Sequence, residues 1–237
     1  RRGKPALHKV YGTPIAVNAG NFLYFLPQLI IKSGSISNAE KSRMHAVIAE
    51  ELSRLHLGQA LDIQWSKSRK YDVSKKQYLQ MVAYKTGALM SAALKIGAVL
   101  ADASDQILKA LGSAAMSIGS AFQIQDDILN LKADWGKESG EDITEGKLTY
   151  LVACTVKKAQ HQDRSELIRI LSSKTRNSGE IKRAVAIMEK YAAFDEAQKY
   201  AEKLLDSAKK DIARAFPNSE YRRIFFELID FMLSRKL

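Results

Sequence analysis

An all-α domain is what this sequence predicts, and three observations predict it. Prolines stand at positions 5, 14, 27 and 217, which leaves Gln28 to Phe216 free of the residue that breaks helices. Apolar residues recur in steps of three or four through long stretches. No alternating apolar-polar run of strand length competes with them. The 237 residues suffice for one large domain with a buried core. With no repeat, low-complexity segment or linker visible, the expectation is a single domain over 1–237.

Taken in order, Thr13-Pro14 is an N-cap and first-turn pair, and it opens a helix over about 14–31. Ser37-Asn38-Ala39-Glu40 and Ser74-Lys75-Lys76-Gln77 read as capping boxes, starting helices over about 38–65 and 75–101. A third long periodic stretch covers about 105–132, and further helices are expected at about 147–158, 163–172, 179–214 and 219–235.

Composition narrows the function classes. The formal charge is +11, but no tract of five basic residues occurs and the lysines and arginines are spread along helices. Alone, that balance suggests nucleic acid or an anionic membrane surface, but spread in this way it is equally compatible with a protein handling polyanionic small molecules, and no nucleic-acid partner is expected. Cys154 is the one cysteine and excludes an intrachain disulfide; among apolar neighbours it reads as a buried thiol in a reducing compartment. The longest apolar run, 15–31, is interrupted by Asn18, Asn21 and Pro27, so no transmembrane segment is expected. No secretory signal is visible, and the expected location is cytoplasmic.

The most informative stretch runs from Gln123 through Asp126, Asp127 and Asn130 to Gly136-Lys137 and Gly140–Lys147. Up its helix, apolar residues recur at Leu111, Ala115, Ile118, Phe122 and Leu129, and Asp126 falls in that stripe where a bulky hydrophobe is expected. A carboxylate aimed into an apolar interior is expensive unless cations or a metal meet it. Gln123 lies three and four residues before the acids, and Asn130 four and three after them, so all four side chains share one flank. Adjacent acids are ordinarily a solvated helix end. The stripe position and the lysines beyond, Lys137 and Lys147, point instead to a magnesium-bound diphosphate.

Lys85 is a second anomaly. It interrupts the stripe Tyr78, Met81, Leu89, Ala92, Ile96, and so it either snorkels to the rim or meets an anion inside. Thr86 and Gly87 follow it, a polar side chain and a weak point in the helix. With Asp126 on a neighbouring helix, an internal ionic site is the better reading.

These residues carry a resemblance. Arg1-Arg2-Gly3-Lys4-Pro5 with His8 and Tyr11-Gly12, then His56-Leu57-Gly58-Gln59 with Asp62, then Tyr84-Lys85-Thr86-Gly87, then the Gln123–Lys147 block, look like a trans-isoprenyl diphosphate synthase. The likeness runs from the first residue to the last helix, and its motifs stand in the family's order. Within the family the chain most resembles the short-chain geranylgeranyl and farnesyl diphosphate synthases. The resemblance implies an all-α helical bundle of the isoprenoid synthase type around a deep central cavity, usually a homodimer. It also implies head-to-tail condensation of isopentenyl diphosphate with an allylic diphosphate (dimethylallyl, geranyl or farnesyl) using Mg²⁺.

Two departures accompany it. The family's first aspartate-rich motif, which binds two of three magnesium ions, lies shortly before the Arg-Arg-Gly element and is absent here. The chain begins with Arg rather than Met, so N-terminal sequence is expected to be missing, and one ion is expected through the motif present. The later motif ends in Asn130 instead of a third aspartate, a variant that resembles geranylgeranyl-type members.

By resemblance, Asp126 and Asp127 hold or support that magnesium, and Arg1, Lys85, Lys137 and Lys147 face the allylic diphosphate. Arg2 grips isopentenyl diphosphate, for which a planar fork is suited. Thr86, Gln123 and the carbonyl of Lys85 stabilise the carbocation, and Asp142 orients Lys147 or a metal-bound water. Other polar residues keep plainer readings. His8 either touches a diphosphate or organises its turn, and His56, Gln59 and Asp62 line the cavity or pair helices. His45 and His161 read as surface residues. Phe22, Tyr24 and Phe25 are core or tunnel wall, and Arg235-Lys236 is a basic terminus or a flap over the isopentenyl site. The expected product is geranylgeranyl diphosphate, with farnesyl and C25 products as alternatives. A class I terpene cyclase shares the metal logic but has no use for an isopentenyl site; a non-catalytic subunit of a heteromeric synthase loses metal ligands that this chain retains.

Overall fold

The computed structural model describes residues 4–132 and 140–234, and helices account for almost all of them. In chain order these are α1 Leu7–Tyr11, α2 Thr13–Ser33, α3 Asn38–Ser68, α4 Lys75–Val82, a π-helical turn Ala83–Gly87, and α5 Ala88–Leu100. There follow α6 Asp105–Leu131, α7 Glu141–Thr144, α8 Tyr150–Lys158, α9 His161–Ser173, α10 Ser178–Lys190, α11 Ala193–Ala215 and α12 Glu220–Ser234. No strand occurs among the described residues. The all-α expectation holds.

Both capping boxes form. Ser74 accepts from the amide of Gln77 while Gln77 reaches back to the amide of Ser74, and Ser37 and Glu40 make the same exchange. Two expected helices are each two. The 75–101 stretch passes through the π turn at Ala83–Gly87, where the sequence has the weak point Thr86-Gly87. The 179–214 stretch breaks at Tyr191-Ala192, where Ala192 takes a left-handed φ of 53°. No glycine or proline marks that break.

The chain divides into two compact units, Arg1–Ala49 and Glu50–Leu237, with the boundary inside α3. In the first, α2 buries only Ile31, and Ile15, Phe22, Leu23, Phe25, Leu29 and Ile30 are all more than half exposed. Helix α2 is long and apolar enough to cross a membrane by length and composition alone. Helix α6 passes the same test but lies half buried among other helices.

In the second unit α6 is the central helix. Its buried face runs through Leu111, Ala114, Ala115, Ile118, Ala121, Ile124, Ile128 and Leu131. Helix α11 packs on it with a face of mostly small residues, Ala193, Ala197, Ala201, Leu205, Ala208 and Ile212, which lets the two axes approach closely. On another side α6 meets the π turn and α5. Buried Glu51 of α3 accepts from Ser91 at 2.8 Å and Lys95 at 2.6 Å, fastening one face of α5 to α3. Burial pushes the Glu51 carboxyl up, but hydrogen bonds from Lys95 and Ser91 and the Lys95 and Arg54 charges outweigh it and hold it below its ordinary value.

Candidate active site

Three glycines bring the site's elements into backbone contact. A Cβ on Gly58 of α3 would stand 2.4 Å from the Lys85 nitrogen, and one on Gly119 of α6 would stand 2.5 Å from the Gly87 Cα. A Cβ on Gly87 would meet the Met116 Cα at 2.8 Å. The π turn is therefore gripped between α3 and α6 at a spacing that no side chain permits. Its two polar side chains then reach both neighbours. Lys85 Nζ lies 2.6 Å from Asp62 Oδ2 on α3, and Thr86 Oγ1 donates to Gln123 Oε1 on α6 at 3.2 Å.

From Gln123 the network continues to the acids. Its Nε2 donates to Asp127 Oδ1 at 3.1 Å and lies 3.5 Å from Asp126 Oδ2. The other Asp127 oxygen accepts from the Tyr78 hydroxyl of α4 at 2.5 Å and the Tyr150 amide at the start of α8 at 3.0 Å. Asp127 is 2% exposed, whereas Asp126 is open to solvent. This corrects the sequence reading, which put Asp126 in the apolar stripe. The buried face of α6 passes Ile124, Ile128 and Leu131, so Asp127 is the carboxylate on it, and Phe122 and Leu129 are only half buried.

Burial, and next the Asp142 charge, push the Asp127 carboxyl up to about 7 against the three hydrogen bonds it accepts. Asp142 is also raised by burial, although the Lys147 ammonium 2.7 Å away works against it. Burial disfavours the Lys147 cation, yet the Asp142 charge and hydrogen bond, with Asp127 and Asp62 beyond, carry its value above that of an ordinary lysine. Like charges thus crowd one end of α6, where Asp62, Asp126, Asp127 and Asp142 face Lys85 and Lys147.

Gly140 and Asp142 are tied back to the end of α6. Asn130 accepts from the Gly140 amide on its backbone oxygen at 2.9 Å and from the Asp142 amide on its side-chain oxygen at 3.0 Å. Asn130 therefore holds the returning chain, while Gln123 is the residue that touches the acids. Farther on, the buried Tyr71 hydroxyl donates to the Gly146 carbonyl at 3.1 Å, beside a left-handed Gly146 with φ +65°. Lys147 projects from this braced turn.

Of the residues expected at the site, the structure gathers Lys85, Thr86, Gln123, Asp126, Asp127, Asp142 and Lys147. Arg1, Arg2, Lys137 and the Arg235-Lys236 pair lie outside the described residues. Asp62, expected only as cavity lining or a helix-pairing residue, is the direct partner of Lys85. Tyr78 and Tyr71 were not anticipated: periodicity counts tyrosine as apolar, and only its hydroxyl's partner reveals its use. Among the described residues no three His, Cys, Asp or Glu side chains already form a metal cage. An open carboxylate beside buried ones is nevertheless a hard-oxygen donor set that suits Mg²⁺, which is bound through one or two carboxylates together with substrate phosphates.

The family model described as polyprenyl synthetase matches residues 1–188. A short chain isoprenyl diphosphate synthase of Methanothermobacter thermautotrophicus is 34% identical over all of this chain and 72% of its own length. A geranylfarnesyl diphosphate synthase of Aeropyrum pernix is 35% identical over 99% of this chain and 74% of its own. The crystal structure of a geranylgeranyl pyrophosphate synthetase from Pyrococcus horikoshii superposes with a TM-score of 0.90 at 32% identity, covering 100% of this chain and 72% of that one. With a family model matched over residues 1–188 and relatives about a third identical along the whole chain, this chain belongs to the polyprenyl synthetase family.

Proposed function

We propose that the protein is a Mg²⁺-dependent trans-prenyltransferase that joins isopentenyl diphosphate head to tail to an allylic diphosphate, with geranylgeranyl diphosphate as main product. The observation that carries this is the convergence of Lys85, Thr86, Gln123, Asp126 and the Asp142–Lys147 pair at one end of α6. Diphosphate leaves carbon only when the negative charge growing on it is neutralised, and cations fixed in place do this without reorganising. Lys85 and Lys147 supply such charges, each aimed by a carboxylate, Asp62 and Asp142. Asp126, with Asp127 in support, would hold Mg²⁺, which would supply Lewis-acid neutralisation of the leaving group. By the same reading Arg1 and Lys137 join the allylic diphosphate site and Arg2 holds isopentenyl diphosphate.

The allylic carbon–oxygen bond breaks with its electron pair leaving on diphosphate. The isopentenyl double bond then supplies the pair for the new carbon–carbon bond, and the proton lost from the adjacent carbon passes to the released diphosphate. Between these events the cation needs dipoles and no strong base. The Thr86 hydroxyl and the Gln123 amide oxygen, linked to each other at 3.2 Å, are neutral dipoles at the right end of α6.

The C20 assignment rests on Asn130; the relative that is a geranylfarnesyl synthase makes C25 the alternative. Farnesyl and isopentenyl diphosphates are incubated with the intact enzyme and Mg²⁺, and the hydrolysed alcohols are sized. A C20 alcohol is expected. Elongation that passes on to C25 refutes the length alone, and no elongation refutes the prenyltransferase. We place the enzyme in the cytoplasm as a homodimer, with the exposed apolar face of α2 as support for the assembly.

A further inference from the structure

Helices α4, α6, α8 and α11 border a groove of about 460 Å³, and none of the residues gathered at the diphosphate end lines it. Its apolar lining is Leu79, Ala83, Met116 and Leu204, with the rings of Tyr150 and Tyr200 stacked at 5.5 Å between centroids. Its charged lining is Lys75 and Lys76 at the start of α4, and no carboxylate among the described residues lines it. Ser120 commits its hydroxyl to the Met116 carbonyl at 2.8 Å, so Ser117 is the hydroxyl left to meet a ligand. A second groove, of about 450 Å³, shares Tyr200 and is lined by Lys158, Lys199 and Lys203 against Asp195 and Glu196. Lys75 and Lys158 both pair with that one glutamate. Among the described residues Lys76, Lys199 and Lys203 have no carboxylate within ion-pair distance. Five lysines around Tyr200 thus face two carboxylates, a local surplus of positive charge beside an apolar recess.

We propose that this groove is a second anion site, which binds a soluble phosphate monoester of a short hydrocarbon chain, with the phosphate at Lys75 and Lys76 and the chain along Met116, Tyr200 and Leu204. The inference goes beyond the proposed reaction and does not depend on it. Its occupant is chosen by charge and by surface. A bare anion leaves the apolar wall in water, and a neutral hydrocarbon leaves the lysines unanswered; a molecule carrying both groups satisfies both. Phosphate suits the head because a monoester carries a charge of about −1.5 to −2 at neutral pH and three acceptor oxygens, enough for adjacent ammonium groups. Lysine binds phosphate as a point charge and asks for no fixed fork. A recess bordered by four helices seats one molecule and not the flat face of a bilayer, so the source is a dissolved ester and not a lipid headgroup.

The test is titration calorimetry of the full-length protein with octyl phosphate below its micelle concentration, butyl phosphate and inorganic phosphate. Octyl phosphate is expected to bind about tenfold or more tightly than butyl phosphate, since each fully buried methylene is worth about fourfold, and inorganic phosphate is expected to bind more weakly than either. Lys76→Glu places an acid in the first turn of α4, where it favours the helix, so the variant is expected to melt as the wild type does. It is expected to bind octyl phosphate about tenfold more weakly, the loss of one charge-assisted contact. Ser117→Phe fills the groove and is expected to weaken binding likewise; should it fail to fold, Lys76→Glu decides. Lys85→Ala, at the diphosphate end, is expected to retain this binding event. Undiminished affinity in folded Lys76→Glu overturns the proposal. So does an absence of binding to Lys85→Ala, which moves the ligand to the diphosphate end, and so does equal affinity for inorganic and octyl phosphate, which marks general surface charge. Phosphatidylserine vesicles that bind the wild type but not Lys76→Glu, with no binding of octyl phosphate, overturn it in favour of a membrane surface.

Discussion

Asp126 carries its carboxylate in the open, whereas the Asp127 carboxylate next to it accepts from Tyr78, Tyr150 and Gln123 and is buried. The two residues should therefore fail differently. Asp126→Ala removes, from an exposed position, the carboxylate proposed to hold the metal. Turnover should fall by about 10²–10³, the range found when one group that stabilises the leaving charge is lost. Thermal stability should stay within about 0.5 kcal/mol, as for ordinary surface changes. Asp127→Ala instead strands a tyrosine hydroxyl and a backbone amide in the interior, at about 1–3 kcal/mol for each unsatisfied group. Steady-state rates together with thermal melts separate the two. A fully active Asp126→Ala enzyme at saturating Mg²⁺ defeats the metal assignment. The acidic pair was legible in the sequence because Gln123 and Asn130 share its flank and the lysines at 137 and 147 follow it, which an ordinary solvated helix end does not require. Which member turns inward was not, since successive residues lie 100° apart and towards its C-terminal end the buried face of α6 turns away from the stripe through Leu111, Ala115 and Ile118 to Ile124, Ile128 and Leu131.

At the level of elements, the site depends on how closely α3 and α6 approach the π turn. The sequence shows Gly58, Gly87 and Gly119 within their motifs but not what each one touches. That appears only when a methyl group at Gly58 is found to collide with the backbone nitrogen of Lys85 at 2.4 Å. Gly58→Ala is accordingly expected to push α3 off the turn, at a cost of about 1–3 kcal/mol for overpacking. The same shift lengthens the Asp62–Lys85 contact, so use of the allylic diphosphate should weaken alongside stability. Parallel melts and Michaelis constants check this; an alanine variant with unchanged melting and unchanged Michaelis constant shows that the contact is soft. Sequence periodicity located the long helices within a few residues, and the capping boxes explain why their starts were the surest part. The break at Ala192 escaped because an alanine in the left-handed region leaves no compositional mark, costing only roughly 1–2 kcal/mol that the burial of Ala193 and Ala197 offsets.

On the scale of the whole molecule, the open question is what covers α2. The helix is 21 residues long and so about 31 Å from end to end, and seven of its large apolar side chains are more than half exposed. Monomeric proteins rarely leave apolar patches of that extent in water. A second copy is the occupant that the proposed homodimer supplies, since a two-fold axis places the same stripe against itself. Helix composition alone equally admits a bilayer, but Asn18 and Asn21 lie along α2 and have no partner to offer them inside hydrocarbon, whereas a protein interface can hydrogen-bond both. Replacing Phe25 and Ile30 by glutamate should therefore leave the monomer's helices intact and halve the mass measured by sedimentation equilibrium, because both side chains already face outward. Wild-type protein is expected to sediment as a dimer and to stay in the supernatant when spun with neutral phospholipid vesicles. A dimer that persists in the double variant moves the interface elsewhere, and vesicle binding that the glutamates abolish assigns α2 to a membrane surface instead.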